Sequence, residues 1–289
     1  MRRIFFLPIL LFVVFIGISL LAPLPRVKAI TYGYVDNNNT YSNVGAFIVK
    51  SPSGNIYALC SGTLITPNVF LTASHCTEYF TNTLVPLGYT AYVSFDTSIP
   101  TGSLTSRKTK LYAVSYAVTN PNYNQRQSDS GDIGVLILET NVKGITPATL
   151  PTCRLLDQLV AQNGLKDALF TAAGYGLQNR VVGGGPPQFQ DSNPIPRMYS
   201  YSSFNALSPG YLRLSQNPAT GNGGTCYGDS GGPNFLTVNG QQILVAITTT
   251  GDAVCQSTNV DYRLDTAATS TFLRYVNTTY GTSIPIPCP

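Results

Sequence analysis

The segment Gly228-Asp229-Ser230-Gly231-Gly232-Pro233 is the part of this sequence best suited to covalent chemistry. A serine hydroxyl is a weak nucleophile until a base takes its proton. Glycines on both sides let a substrate carbonyl approach while backbone N–H groups converge on its oxygen. The N–H groups of Gly228 and Ser230 are the candidate oxyanion donors. The chain has one histidine, His75, so the candidate base is fixed; it lies in Leu71-Thr72-Ala73-Ser74-His75-Cys76, where an apolar run ends beside a cysteine. A carboxylate behind that ring would hold one tautomer and stabilise the imidazolium formed on proton transfer. Asp132 opens the nearly continuous apolar run Ile133-Gly134-Val135-Leu136-Ile137-Leu138, which sets it at the edge of a core. Asp129, three residues earlier, reads as a solvated turn residue.

Chain order narrows the chemistry. The letters G-x-S-x-G also fit the nucleophile elbow of α/β-hydrolases, but that order needs a histidine after the serine, and none follows Ser230. An order with the acid first needs a carboxylate ahead of His75, where the one acid is Asp36, beside an asparagine run that reads as solvated. Histidine, then acid, then serine remains.

The elements that must position these groups are strands. Of 289 residues, 43% are apolar and 10% charged, which excludes a disordered chain and leaves Ser, Thr, Asn, Gln and Tyr to build the polar surface. A single His and the absence of a Cys-x-x-Cys pair exclude His-rich and zinc-ribbon sites, so no metal or other cofactor is expected. Short β-prone segments at 44–50, 69–73, 90–95, 110–118, 134–138, 169–175, 198–204, 242–248 and 261–264 are punctuated by Asn, Gly, Pro or Ser, a pattern of antiparallel sandwiches and barrels. One long helix is expected at the end. Asp265 or Thr266 caps it, Phe272, Leu273, Val276 and Tyr280 share a face, and Gly281 stops it. The pattern loosens around Pro147, Pro151 and Gly164, the expected crossing between halves at 30–150 and 151–289.

The nominal charge of +4 belongs to the front of the chain. Residues 1–29 hold Arg2, Arg3, Arg26 and Lys28 and no acid, so the 17 bases fall to 13 against 13 acids beyond them. Near-zero charge gives no reason to invoke nucleic acid. Arg2-Arg3, the apolar run from Ile4 to Leu21 and the small-residue ending Val27-Lys28-Ala29 read as a secretory signal peptide over 1–29. Eighteen apolar residues also suffice for a membrane anchor, so a membrane association follows if the segment is not cleaved. Six cysteines in an oxidising compartment imply three disulfides.

Together these motifs resemble the chymotrypsin-like (trypsin-like) serine endopeptidases across the whole exported chain. Thr72-Ala73-Ser74-His75-Cys76 is similar to that family's T-A-A-H-C, Asp132 to Leu138 to its D-I-A-L-L strand, and Cys226 to Pro233 to its C-x-G-D-S-G-G-P. Thr171 to Gly176 is similar to the segment after the crossing, with Tyr175 where Trp is usual. The resemblance implies an all-β fold of two perpendicular six-stranded antiparallel barrels with a C-terminal helix, and a cleft between them holding His75 and Asp132 from the first barrel and Ser230 from the second. It implies protein or peptide substrates and protein inhibitors as partners, and no cofactor. Rival readings on the same scaffold are a catalytically silent binding protein and an esterase.

The substrate pocket and the activation step follow from the same resemblance. The position six residues before the nucleophile, Asp in trypsins, is Gly224 here, followed by Thr225. Thr249, Thr250 and Gly251 match the pocket wall, with Thr250 in place of the usual Trp. An uncharged P1 residue, apolar or aromatic, is expected, with Asp261 near the rear wall as the group that would instead attract a basic side chain. Ile30-Thr31-Tyr32-Gly33 resembles the family's new N-terminus, so an Ile30–Asp229 ion pair is expected, with signal cleavage after Ala29 or removal of a short propeptide releasing the amine. Cys60 with Cys76 and Cys226 with Cys255 match family pairings, which leaves Cys153 to Cys288. Two sequons, at Asn38 and Asn277, matter in a glycosylating host.

Overall fold

The computed structural model describes residues 30–103, 109–181, 188–190 and 192–289; the expected signal peptide at 1–29 lies outside them. Strands β2 (Val44–Lys50), β3 (Asn55–Thr66), β4 (Val69–Thr72), β5 (Thr90–Ser94), β8 (Tyr112–Thr119) and β9 (Gly134–Leu138) form the first barrel. Their order is β2-β5-β8-β9-β4-β3, and pairing of β2 with β3 closes it. Strands β10 (Leu169–Gly174), β14 (Met198–Leu207), β15 (Tyr211–Ser215), β16 (Pro233–Val238), β17 (Gln241–Gly251) and β18 (Thr258–Arg263) form the second, ordered β14-β10-β16-β17-β18-β15 and closed by β14–β15 pairing. All the pairings are antiparallel, which gives two closed six-stranded barrels and the chymotrypsin fold.

Shorter strands decorate the barrels. Two-residue β1 (Tyr34–Val35) pairs with β14, so the front of the chain is added to the second barrel rather than to the first, across the expected division at 150. Strands β6 (Ser98–Ile99) and β13 (Ile195–Pro196) pair with each other, β7 (Gly102–Ser103) pairs with β3, and β11 (Gln178–Val181) with β12 (Gln188–Gln190).

Each barrel is filled by its inward residues. Phe47, Leu64, Phe70, Val93 and Leu136 pack inside the first, with Phe70, Phe95 and Tyr112 meeting edge to face. Phe170, Leu212, Leu214 and Val245 fill the second. A third apolar cluster spans the seam, joining Val44, Leu71 and Val135 to Tyr175, Phe235 and Leu244 and to Phe272, Leu273 and Val276 of helix α3 (Ala267–Tyr280). The Thr266 hydroxyl accepts from Thr269 N–H at its start, and Gly281, with φ of 65°, ends it. Two shorter helices are α1 (Ser74–Tyr79) and α2 (Leu155–Ala161).

Asp36, read from sequence as solvated, is buried. Arg197, itself fully buried, donates to Asp36 from Nε at 2.9 Å, to the Val44 and Phe95 carbonyls, and to Asn39 Oδ1. The disulfides are Cys60–Cys76, Cys153–Cys288 and Cys226–Cys255.

Candidate active site

Strand register brings His75 to Asp132. β4 runs antiparallel to β9 with Thr72 opposite Gly134, so the residues after Thr72 travel beside those preceding Gly134. Ser74 locks the corner, donating from Oγ to the Ile133 carbonyl at 2.7 Å and accepting from Asn120 N–H at 2.9 Å. Gly134 permits this closeness, because a Cβ there would lie 2.9 Å from Thr77 Oγ1. His75 donates its backbone N–H to Asp132 Oδ1 at 2.9 Å, and its Nδ1 lies 2.9 Å from Asp132 Oδ2. Asp132 is 1% exposed, so its carboxylate has little water to turn to and holds His75 at two points, backbone and ring. Asp129 is spent locally, accepting from Gly131 N–H at 3.2 Å.

Ser230 is carried to the same seam by the loop ahead of β16. Its carbonyl accepts from Ser61 N–H at 3.0 Å and lies 3.9 Å from the Cys76 sulfur, next in chain to His75. Ser61, which sequence reasoning passed over, also donates its hydroxyl to the Gly228 carbonyl at 2.9 Å and accepts from Tyr175 N–H at 2.9 Å. Gly231, at φ of 75°, needs the absence of a side chain, since a Cβ would lie 2.2 Å from Thr72 Oγ1. Gly228 takes φ of 96°, and among the described residues its N–H and that of Ser230 find no protein acceptor. Nor, among those residues, does a hydrogen bond join His75 to the Ser230 hydroxyl. Such contacts commonly tighten once substrate binds.

Two cavities flank the pair and share Thr249 and Thr250. One of about 580 Å³ is lined by His75, Asp132, Tyr123 and Tyr211; the other, of about 200 Å³, by Ser230, Thr225, Thr248, Gly251 and Asp252. Of the expected pocket residues, Thr225, Thr249, Thr250 and Gly251 line the smaller one. Gly224 and Asp261 do not. The Gln216 carboxamide covers Gly224, and Asp261 stands behind the wall, cross-strand from Thr248, accepting from Asn234 at 2.7 Å. Burial pushes the Asp261 carboxyl well up, with hydrogen bonding pulling back.

Ile30 is fully buried against Met198, and the next residue, Thr31, bridges Gly224. Asp229 is also fully buried. Its Oδ1 accepts from Gly176 N–H at 2.8 Å and its Oδ2 from Cys226 N–H at 2.9 Å. Burial pushes this carboxyl up to about 7, and among the described residues no cation pairs with it. The structure thus brings His75 to Asp132 and Ser230 to their rim, and leaves Ile30 and Asp229 unjoined. Cys60, His75 and Cys76 cluster within 4.8 Å, but their two sulfurs are bonded to each other and offer no thiolate to a metal.

The sequence profile of the Trypsin family matches residues 34–273. This chain belongs to the trypsin family. It is 28% identical over 211 residues to a CLIP domain-containing serine protease B15 of Anopheles gambiae, a match covering 70% of this chain and 56% of that protein. It is also 28% identical over 216 residues to a chymotrypsin of Phaedon cochleariae, covering 73% of this chain and 70% of that one. The chain therefore spans little more than half the length of the mosquito relative.

Proposed function

We propose that the protein is a secreted serine endopeptidase that cleaves peptide bonds through an acyl-enzyme, with His75, Asp132 and Ser230 as its triad. The carrying observation is the two-point hold of Asp132 on His75 at the rim of the loop bearing Ser230. The mechanism is the histidine-assisted acyl transfer of a serine–histidine–aspartate triad. His75 Nε2 takes the Ser230 proton as the hydroxyl attacks the carbonyl, then returns it to the leaving amine; water repeats the cycle on the ester. The uncommitted N–H groups of Gly228 and Ser230 receive the oxyanion, and loss of one such donor costs about 3 to 4 kcal/mol of transition-state stabilisation in comparable enzymes.

Activation is part of the same reading. Cleavage after Ala29 turns the Ile30 amide into an ammonium that pairs with Asp229, by signal peptidase alone or after removal of a short propeptide. The buried, cation-free Asp229 carboxylate and the neighbouring Thr31–Gly224 bridge support it. Three disulfides support release into an oxidising compartment. P1 is uncharged in this reading, Gly224 supplying no counter-charge.

A fluorophosphonate probe on the purified protein tests the proposal. Labelling that disappears in Ser230→Ala, together with peptide cleavage that disappears in parallel, is the expected result. A folded protein that resists the probe would return the binding-protein reading, and ester turnover without peptide turnover the esterase one.

A further inference from the structure

The 580 Å³ cavity beside His75 carries a cation that the triad does not use. It shares Thr249 and Thr250 with the cavity beside Ser230, so a peptide whose P1 side chain enters the smaller cavity lays its preceding side chains over the larger one. Arg213 of β15 stands directly opposite Val260 of β18, and both line this larger cavity. Strand alternation explains the placement: Leu212 and Leu214 turn inward and are fully buried, so Tyr211 and Arg213 turn outward together. The Tyr211 hydroxyl is tied to the opposite loop, accepting from Ser130 N–H at 3.1 Å, and holds that wall in place.

The acids within reach of this space are already committed. Asp132, the one carboxylate on the lining, has both oxygens on His75. Asp129, on the adjoining loop, accepts from Gly131 N–H at 3.2 Å, and Asp252, on the wall of the smaller cavity, accepts from the N–H groups of Gln256, Ser257 and Thr258. Neither pairs with Arg213, which is exposed and, among the described residues, has no ion-pair partner. Two further donors belong to the same lining. The Tyr123 hydroxyl accepts from Gln125 Nε2 and keeps its own proton, burial pushing the phenol up to about 12, and Thr249 Oγ1 is buried without a partner. An uncommitted guanidinium with hydroxyl protons beside it, and no carboxylate to spare, is complementary to an anion.

We infer that Arg213 is a specificity-determining residue on the N-terminal side of the scissile bond, and that it selects a carboxylate side chain, Asp or Glu, at one of the substrate positions P2 to P4. This rests on the endopeptidase reading and adds to it a charge preference outside P1. The substrate carboxylate accepts from the Arg213 guanidinium, whose planar fork matches it, while P1 occupies the cavity beside Ser230.

The test is a set of peptides identical except at one position, carrying Glu, Gln or Lys in turn at P4, P3, P2, P1′ and P2′, with kcat/KM measured for the wild-type protein, Arg213→Gln and Arg213→Glu. In the wild type, Glu is expected to lead Gln by about fivefold at one of P2 to P4, the upper end of what a solvent-reached ion pair contributes. That lead should shrink as salt rises from about 0.02 to about 0.5 M. Arg213→Gln should bring the ratio to about one, and Arg213→Glu should put Lys ahead of Glu at the same position. The side chain is exposed and unpaired, so neither substitution removes a contact of the fold. No lead for Glu at P2 to P4 in the wild type, a lead confined to P1′ or P2′, or a lead that survives Arg213→Gln would each overturn the inference. Fluorophosphonate labelling of Ser230 runs alongside: a labelled protein with the wrong ratios sinks the role of Arg213 only, whereas an unlabelled one sinks the endopeptidase reading and this inference with it.

Discussion

Two buried carboxylates, one in each barrel, are treated in opposite fashion by this fold. Asp132, at the corner of the first barrel, gives one oxygen to the backbone of His75 and the other to its ring. Asp261, inside the second barrel, has one oxygen on Asn234 and the other without a partner. The contrast extends beyond these two. Of the eight buried side-chain atoms left without partners among the described residues, only Thr63 Oγ1 lies ahead of the second half; the rest are on Ser200, Gln216, Asn234, Thr249, Asn259, Asp261 and Tyr262. The half that carries His75 leaves one such atom, while the half that carries Ser230 keeps seven. Such groups cost stability and are retained where a ligand or a new chain terminus can satisfy them.

Changing each half in turn tests the contrast. The largest effect is expected from the finished corner: His75→Ala should lower kcat by about 10⁶, the scale on which a triad acting as a unit fails, read by active-site-titrated hydrolysis. Asp132→Asn should cost about 10⁴ in kcat with little change in KM, because the ring is then held in the wrong tautomer.

The next effect belongs to the second half and is a pH dependence. In the uncleaved chain Asp229 binds its proton more tightly folded than unfolded, so stability should decline as pH rises from about 4 to about 7, by about 4 kcal/mol in all. In the proposed activation a chain starting at Ile30 pairs that carboxylate with an ammonium, and the decline should then vanish until the amine itself loses its proton above about 8. Denaturant unfolding of Ser230→Ala with and without residues 1–29, at pH 5 and at pH 7.5, reads the difference; equal pH profiles would remove the ion pair from consideration. The smallest effect is expected from Asp261→Asn. The substitution that disables the first half should here be neutral or raise stability by about 1 kcal/mol at pH 8, since it removes a carboxylate held with a single donor. Thermal unfolding checks it.

Much of this arrangement is legible in the sequence because it is local. The runs at 44–50 and 134–138 become strands with those bounds, and the Thr266 cap and Gly281 stop frame α3 as patterned. His75, Asp132 and the Ser230 loop announce themselves by residue type beside apolar runs. What could not be read depends on distant partners. Strand β16, Pro233–Val238, is hidden behind the glycine-rich loop, and the two-residue β1 becomes a strand only because β14 is there to receive it. Asp36 sits in an asparagine run, yet is buried by an arginine 161 positions away. Gln216 looks like a polar residue at a strand end, and only the glycines at 224 and 251 folding against it bury its carboxamide. Ser61 is one serine among many until Gly228, Ser230 and Tyr175 all reach for it.

The bond between Cys153 and Cys288 encloses 135 positions of chain, nearly all of the second barrel and the last helix with it. Should one molecule nick another inside that ring, the pieces would remain tied and migrate on a gel as a single band until a reductant is added. A cut inside that ring would thus be invisible under oxidising conditions, and only a reduced sample tells an intact chain from a nicked, still-assembled one.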